Sequence, residues 1–265
     1  MPDAAATWSP APDLTRRLAG TRFCEIRWFT TVDSTNRHLL LEAANGSREG
    51  VVAVADEQTA GRGRHGRTWT AAPGAALLVS VLLRPDLAPE RLHLVTLAAG
   101  VAAADAVQQI CGIDARLKWP NDLVVDDRKL AGILAEVAST GTGGAGAVVV
   151  GMGLNLRSDA FPSEIAEIAT ACDQHGAGAV DRGDLLVAWL HALDGSLGEL
   201  GGVVGAAAAR SATLGRPVRV ELARSTFTGV ATRMTPEGYL VVTRDDGTEE
   251  IVTAGDVIHL RAEPA

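Results

Sequence analysis

The sequence predicts a mixed α/β or α+β main domain, in which helices and hairpins intermingle, followed by a small β-barrel. Three observations carry that expectation. Apolar helical and strand-like runs intermingle over the first 210 residues without the regular βαβ rhythm of a doubly wound sheet. After Leu214 the texture changes to five short strand-like runs at tight spacing, with Thr235-Pro236-Glu237-Gly238 and Asp245-Asp246-Gly247-Thr248 as turns. The 265 residues are 47% hydrophobic, enough for one sizeable core and a small appendage.

Taken in order, residues 1–20 contain Pro2, Pro10 and Pro12 and read as a loose segment with a short helix near 14–18. Residues 23–32 alternate as a strand. Asp33 and Ser34 then offer capping oxygens to a helix over 36–44, which Gly46 ends. Residues 51–55 are a buried strand, and 75–83 another, stopped by Arg84-Pro85. Pro89 opens a long helix whose apolar side runs from Leu92 to Val107 and which stops at Gly112. Strands follow at 115–119, 129–137 and 147–156, the last two joined by a flexible hairpin turn at 140–146. Asp181 caps a helix to about residue 200, and an alanine-rich segment continues to Arg210. The final strands fall at 218–222, 227–233, 239–244, 249–252 and 257–260. The expected division is a loose segment 1–20, a main domain 21–212 and a C-terminal domain 213–265.

A net charge of −8 and a pI near 5.3 argue against a general nucleic-acid binder. Cys24, Cys111 and Cys172 form no metal-like spacing and read as reduced thiols. No signal peptide and no uninterrupted spanning segment is present, so the expectation is a cytoplasmic protein without membrane contact. Of 24 basic residues, 22 are arginine; Lys118 and Lys129 are the two lysines, and asparagine occurs only at 36, 45, 121 and 155. Where these scarce residues sit is therefore informative.

Residues 61–69 read GRGRHGRTW, and their first six letters match the G-x-G-x-x-G spacing of a dinucleotide turn. That reading requires a helix opening at the third glycine. Here Arg67-Thr68-Trp69-Thr70 and Pro73-Gly74 lead instead into the strand-like LLVSVLL, which excludes a nicotinamide dehydrogenase of that type. Glycines allow close backbone approach, and Arg62, Arg64 and Arg67 can pair with phosphate or carboxylate oxygens through two nitrogens at once. Alone, the stretch reads either as a solvated basic turn or as a flap over an anion. A flap whose charges lack an anion should be mobile when empty.

Both lysines flank one turn. Lys118 closes a strand, Pro120 breaks it, and KWPNDL presents Asn121 and Asp122. Lys129 then begins the strand of KLAGILAE. Two ammonium groups and a carboxylate at one end of a sheet suit phosphate binding or carboxylate activation; lone residues of these types more often decorate a surface.

GRGRHGRTW, KWPNDL, KLAGILAE and GMGLN (151–155), in this order and after DSTN (33–36) and EQTAGRG (57–63), resemble the biotin protein ligases. The likeness covers roughly residues 25–160, and the terminal strands match that family's SH3-like appendage. It implies the mixed sheet shared with class II aminoacyl-tRNA synthetases. It implies two steps: ATP with Mg²⁺ and biotin form biotinyl-5′-adenylate and pyrophosphate, then a lysine of a biotin carboxyl carrier domain displaces AMP. By similarity Ser34, Thr35 and Gln58 hydrogen-bond the biotin head group, and Asn36, Gly61 and Ile133 belong to the same pocket. Trp69 adds an apolar wall, and Gly132 lets backbone approach the ureido ring. Arg62, Gly63 and Arg64 order over biotin and adenylate, while Arg67 favours the triphosphate. Lys129 contacts the biotin carboxylate and α-phosphate, Lys118 faces the adenylate phosphate, and Asn121 and Asn155 lie near the nucleotide. Asp122 orients or deprotonates the acceptor lysine. No side-chain cluster suggests a resident metal.

DSTN begins at residue 33, which leaves no room before it for the winged helix of bifunctional members, so no operator binding is expected. A monomer and a weak homodimer are both compatible with the sequence. A lipoate-type ligase and a non-catalytic adenylate sensor are the alternatives. His38, His65, His93 and His191 are assigned no role, and Trp119 and Trp189 are read as packing.

Overall fold

The structure, a computed structural model, describes residues 7–138, 146–159, 161–222 and 224–260. The hairpin turn expected at 140–146 lies almost wholly outside the described residues.

An eight-stranded sheet forms the main body. Its strands are β1 (Trp8–Pro10), β2 (Glu25–Val32), β3 (Val51–Gln58), β4 (Ala76–Leu83), β5 (Arg116–Lys118), β6 (Asp122–Val125), β7 (Arg128–Val137) and β8 (Val148–Asn155). Their order across the sheet is β1-β2-β3-β4-β8-β7-β6-β5, with β2 and β3 parallel and the other pairs antiparallel. Five helices accompany it: α1 (Pro12–Arg17), α2 (Thr35–Ala44), α3 (His93–Cys111), α4 (Arg182–Gly198) and α5 (Leu200–Ala209).

Strand alternation sends side chains to two different cores. Val52, Val54, Leu77, Val79, Val81, Val150 and Met152 pack with α3 and α4 on one face. Val51, Ala53, Ala55, Ala76, Leu78, Leu82 and Val149 pack with Leu39 and Ala43 of α2 on the other. Burial on both faces explains why β4 reads as an apolar run broken only by Ser80; all eight of its residues are buried. By length and composition α3, with the turn before it, could cross a bilayer, but most of it is buried inside the protein against the sheet and α4.

The helix expected to end near residue 200 is α4, and the alanine-rich segment beyond it is α5, with Glu199 between them. Three details depart from the sequence reading. Residues 8–10, expected to be loose, form β1 at the sheet edge against β2. Pro89–Arg91 is a short 3₁₀ turn, and α3 proper begins at His93. Asp122 opens a strand, β6, that was not anticipated: four residues flanked by turns are too short for alternation to reveal.

The C-terminal strands β9 (Pro217–Glu221), β10 (Thr226–Met234), β11 (Leu240–Thr243), β12 (Glu249–Val252) and β13 (Asp256–His259) form one antiparallel sheet in the order β12-β11-β10-β9-β13. Among the described residues no ladder joins β12 to β13, so the expected barrel is here a sheet with two edges. The main body reaches into it. Trp119 is buried among Val218, Val220, Leu240, Val242 and Val257; its indole N–H donates to Gly238 O at 3.3 Å and its backbone N–H to Thr213 Oγ1 at 3.1 Å. Removing so large a buried side chain leaves a cavity at the seam. Trp119→Ala is expected to cost about 3–5 kcal/mol in urea unfolding and to separate the C-terminal transition from the main one.

Candidate functional site

Loop 61–69, the first turn of α2 and strands β6, β7 and β8 enclose an open cleft of about 740 Å³. Ser34, Thr35, Asn36, Gln58, Arg62, Gly63, Arg64, Arg67, Trp69, Asn121, Asp122, Lys129, Gly132 and Ile133 line it together, although 99 positions separate Ser34 from Ile133. The arginine loop and Lys129 thus share one cavity.

The polar wall begins at the N-terminus of α2. Ser34 caps the helix, its Oγ accepting from Arg37 N–H at 3.4 Å. Thr35 donates its N–H and hydroxyl to Gln58 Oε1 at 2.8 and 3.1 Å. Ser80 Oγ lies 2.7 Å from Thr35 Oγ1 and 2.6 Å from Asn36 Oδ1, and Asn36 Nδ2 donates to Leu134 O and Glu136. Ser34, Thr35, Asn36 and Ser80 are buried, and Gln58 and Glu136 are half-buried, so most of this network is withdrawn from water.

The floor is made by glycines. A Cβ at Gly153 would overlap the Trp69 indole, and one at Gly132 would lie 3.0 Å from Trp69 and from the Lys129 ammonium. Their absence lets the indole lie flat on β7 and β8. Lys129 Nζ then sits 5.5 Å from the indole centroid and 2.8 Å from Asp122 Oδ1. The indole N–H is buried, with no hydrogen-bond partner among the described residues.

The basic loop is not left unpaired. Arg62 meets Glu136 at 3.0 Å. Arg64 Nη1 donates to Asn121 Oδ1 at 3.0 Å and Nη2 to Gly255 O at 3.2 Å. Arg67 Nη2 lies 2.9 and 3.1 Å from the two carboxylate oxygens of Asp256. Burial pulls the Arg64 pKa below its usual range and Arg67 adds to this, while Asp256 and Asp122 oppose it. The sequence reading expected a mobile loop if its charges lack an anion; here carboxylates from β7 and β13 supply anions. His65 takes a left-handed conformation at φ 54.

Three predicted residues stand outside the cleft. Gly61 packs beneath the loop, where a Cβ would strike the Trp69 carbonyl. Asn155 spends its amide on the Lys129 and Thr170 carbonyls, at 3.4 and 3.0 Å, tying β8 to the segment beside Lys129 rather than facing the cavity. Lys118 lines a neighbouring depression shared with Arg67, Asn121, Asp122 and Asp256. Conversely Ser80, Glu136, Gly153 and Asp256 were not anticipated. Glu136 ends the KLAGILAE motif and Gly153 lies within GMGLN, so both were in view; Asp256 has no local signal at all.

Burial is the largest influence on Lys118 and lowers its pKa; Asp122 opposes this, Lys129 adds to it, Asp127 opposes and Arg216 adds. A base with a depressed folded-state pKa weakens the fold while it is charged, and the penalty fades as pH climbs from the folded value to the unfolded one, about 10.4. Lys118→Met should therefore be more stable than the unaltered protein at neutral pH, by an advantage that shrinks at alkaline pH. Urea midpoints across that range check the sign.

Residues 28–155 match the biotin/lipoate A/B protein ligase family, and 213–260 the biotin protein ligase C-terminal domain. The biotin–[acetyl-CoA-carboxylase] ligase of Mycobacterium tuberculosis is 37% identical over 253 residues, 92% of each chain. That of Paracoccus denitrificans is 34% identical over 240 residues, 85% of this chain and 96% of the relative. Among solved structures, the biotin protein ligase of Aquifex aeolicus in complex with biotin and ATP superposes with a TM-score of 0.77 at 26% identity, covering 89% of this chain and 99% of that one. Matched to relatives over nearly their whole length, this chain belongs to the biotin protein ligase family.

Proposed function

We propose that the cleft joins biotin to ATP as biotinyl-5′-adenylate and then passes the biotinyl group to a lysine of a biotin carboxyl carrier domain. The observation that supports this reading most directly is the convergence of Lys129 and the loop arginines on one glycine-floored, tryptophan-walled cavity. Forming the adenylate brings a carboxylate up to a phosphate, and the repulsion must be offset by fixed cations. The carboxylate oxygen bonds to the α-phosphorus as the bond to pyrophosphate breaks. In the second step the amine of the acceptor bonds to the acyl carbon, AMP leaves, and a proton leaves the nitrogen.

Each lining group has a part in this reading. The Thr35, Asn36 and Gln58 network recognises the polar ring of biotin, aided by the positive end of α2. Trp69, Gly132 and Ile133 hold its apolar body. Lys129 and Arg64 sit where the acyl and phosphoryl groups meet, and Arg67 lies on the polyphosphate side. Asp122, beside Lys129, is the carboxylate that accepts the acceptor's proton. Lys118, in the adjoining depression, acts at longer range on the phosphates. Asn155 serves by holding the strand end of Lys129, not by touching nucleotide. Mg²⁺ arrives with ATP and spreads the polyphosphate charge; the described residues hold no cluster of three acidic, histidine or cysteine side chains to retain it alone. The C-terminal unit is an SH3-like module that closes over the basic loop. Family relatives matched over nearly full length are named for biotin, which favours biotin over a lipoate-type acid.

The decisive experiment follows labelled biotin into a purified carrier domain with and without ATP, and pyrophosphate release without the carrier. Both should require ATP and biotin; binding of the two without turnover would reduce the protein to a sensor. Lys129→Ala is expected to slow pyrophosphate release by about 10²-fold or more with an unchanged thermal midpoint. Release at the normal rate in that variant would remove Lys129 from the chemistry.

A further inference from the structure

The basic loop is held by an anion from the other sheet. Asp256 opens β13, yet its carboxylate lies 2.9 and 3.1 Å from Arg67 Nη2, 3.6 Å from Arg64 and 3.7 Å from His65. One carboxylate therefore faces three basic or titratable side chains of the loop, Arg64, His65 and Arg67. A carboxylate and a pair of phosphate oxygens offer a guanidinium the same acceptor geometry. The loop does not need this contact for its shape. Gly63 N–H donates to Arg67 O at 2.7 Å, Trp69 N–H to Gly61 O at 3.0 Å, and Arg64 to Asn121, all without Asp256.

Resting on the ATP-dependent reading above, we propose that Asp256 is a positioning residue that occupies Arg67 in place of nucleotide phosphate, so that polyphosphate enters by exchange with this carboxylate. The contact keeps Arg67 beside the empty cleft. It also lowers the apparent affinity for phosphate, because a group engaged elsewhere binds in proportion to the fraction that is free. Both partners are substantially exposed, at 62% and 32%, so the pair is weak and the exchange is easy.

A second ion pair joins the two sheets without touching the loop: Arg216 Nη2 donates to Asp127 Oδ2 at 2.9 Å. Asp127→Asn removes the same unit of charge from the same seam and serves as the control. The test titrates inorganic pyrophosphate calorimetrically into the intact unaltered protein, Asp256→Asn, Asp256→Glu and Asp127→Asn, and measures KM for ATP and kcat for each. Asp256→Asn should bind pyrophosphate about two- to fivefold more tightly, with KM for ATP falling by a similar factor and kcat unchanged. Asp256→Glu and Asp127→Asn should match the unaltered protein. Equal or weaker pyrophosphate binding in Asp256→Asn, a raised KM, or an equal gain in Asp127→Asn would each overturn the proposal. The titration needs no turnover. An unaltered protein that releases no pyrophosphate from ATP and biotin would sink the functional reading, while the titration would still decide the role of Asp256.

Discussion

Three guanidinium groups on one short loop repel each other and demand anions. Arg64 is largely withdrawn from water and must be paired inside the protein or with a ligand, whereas Arg62 and Arg67 stay about half exposed and pair more weakly. In this chain each arginine finds a different solution: Arg62 a carboxylate on β7, Arg64 an amide and a carbonyl, Arg67 a carboxylate on β13. The loop's own backbone hydrogen bonds and the Arg64–Asn121 contact shape it, the two carboxylate pairs add weaker holds, and the loop in turn forms one wall of the cleft. Everything proposed about phosphate chemistry follows from how readily these internal partners give way.

The opposite wall depends on what is missing. Gly132 and Gly153 are neighbours across the β7–β8 ladder, each facing the other directly. Two absent side chains on adjacent strands leave a shelf wide enough for an indole, and the indole brings Lys129 and Asp122 into register above it. A sheet buried on both faces makes that shelf rigid, because β4 and β8 cannot shift without disturbing two cores at once.

The two sheets are coupled at the same place. KWPNDL contributes Trp119 to the C-terminal core and, two residues later, Asn121 to the loop and to Ile133. Movement of the C-terminal unit therefore reaches the cleft through one short segment as well as through Asp256. That arrangement gives the small sheet a physical reason to matter to the chemistry, beyond covering apolar surface.

Local chemistry alone determined much of this. Period-two and helical spacing located most elements, because burial of one face writes itself into sequence. The glycine-arginine loop, the two lysines and the GMGLN strand stood out because composition made those residue types rare or dense. What distance along the chain conceals, only tertiary structure decided. No pattern near residue 256 announces a carboxylate meant for residue 67, and four-residue β6 is too short to show a period. Asn155 was placed near the nucleotide by family resemblance, but strand pairing turned its amide toward backbone carbonyls. Sequence specifies which groups are available; the ladder registers and the packing of two sheets choose which of them meet.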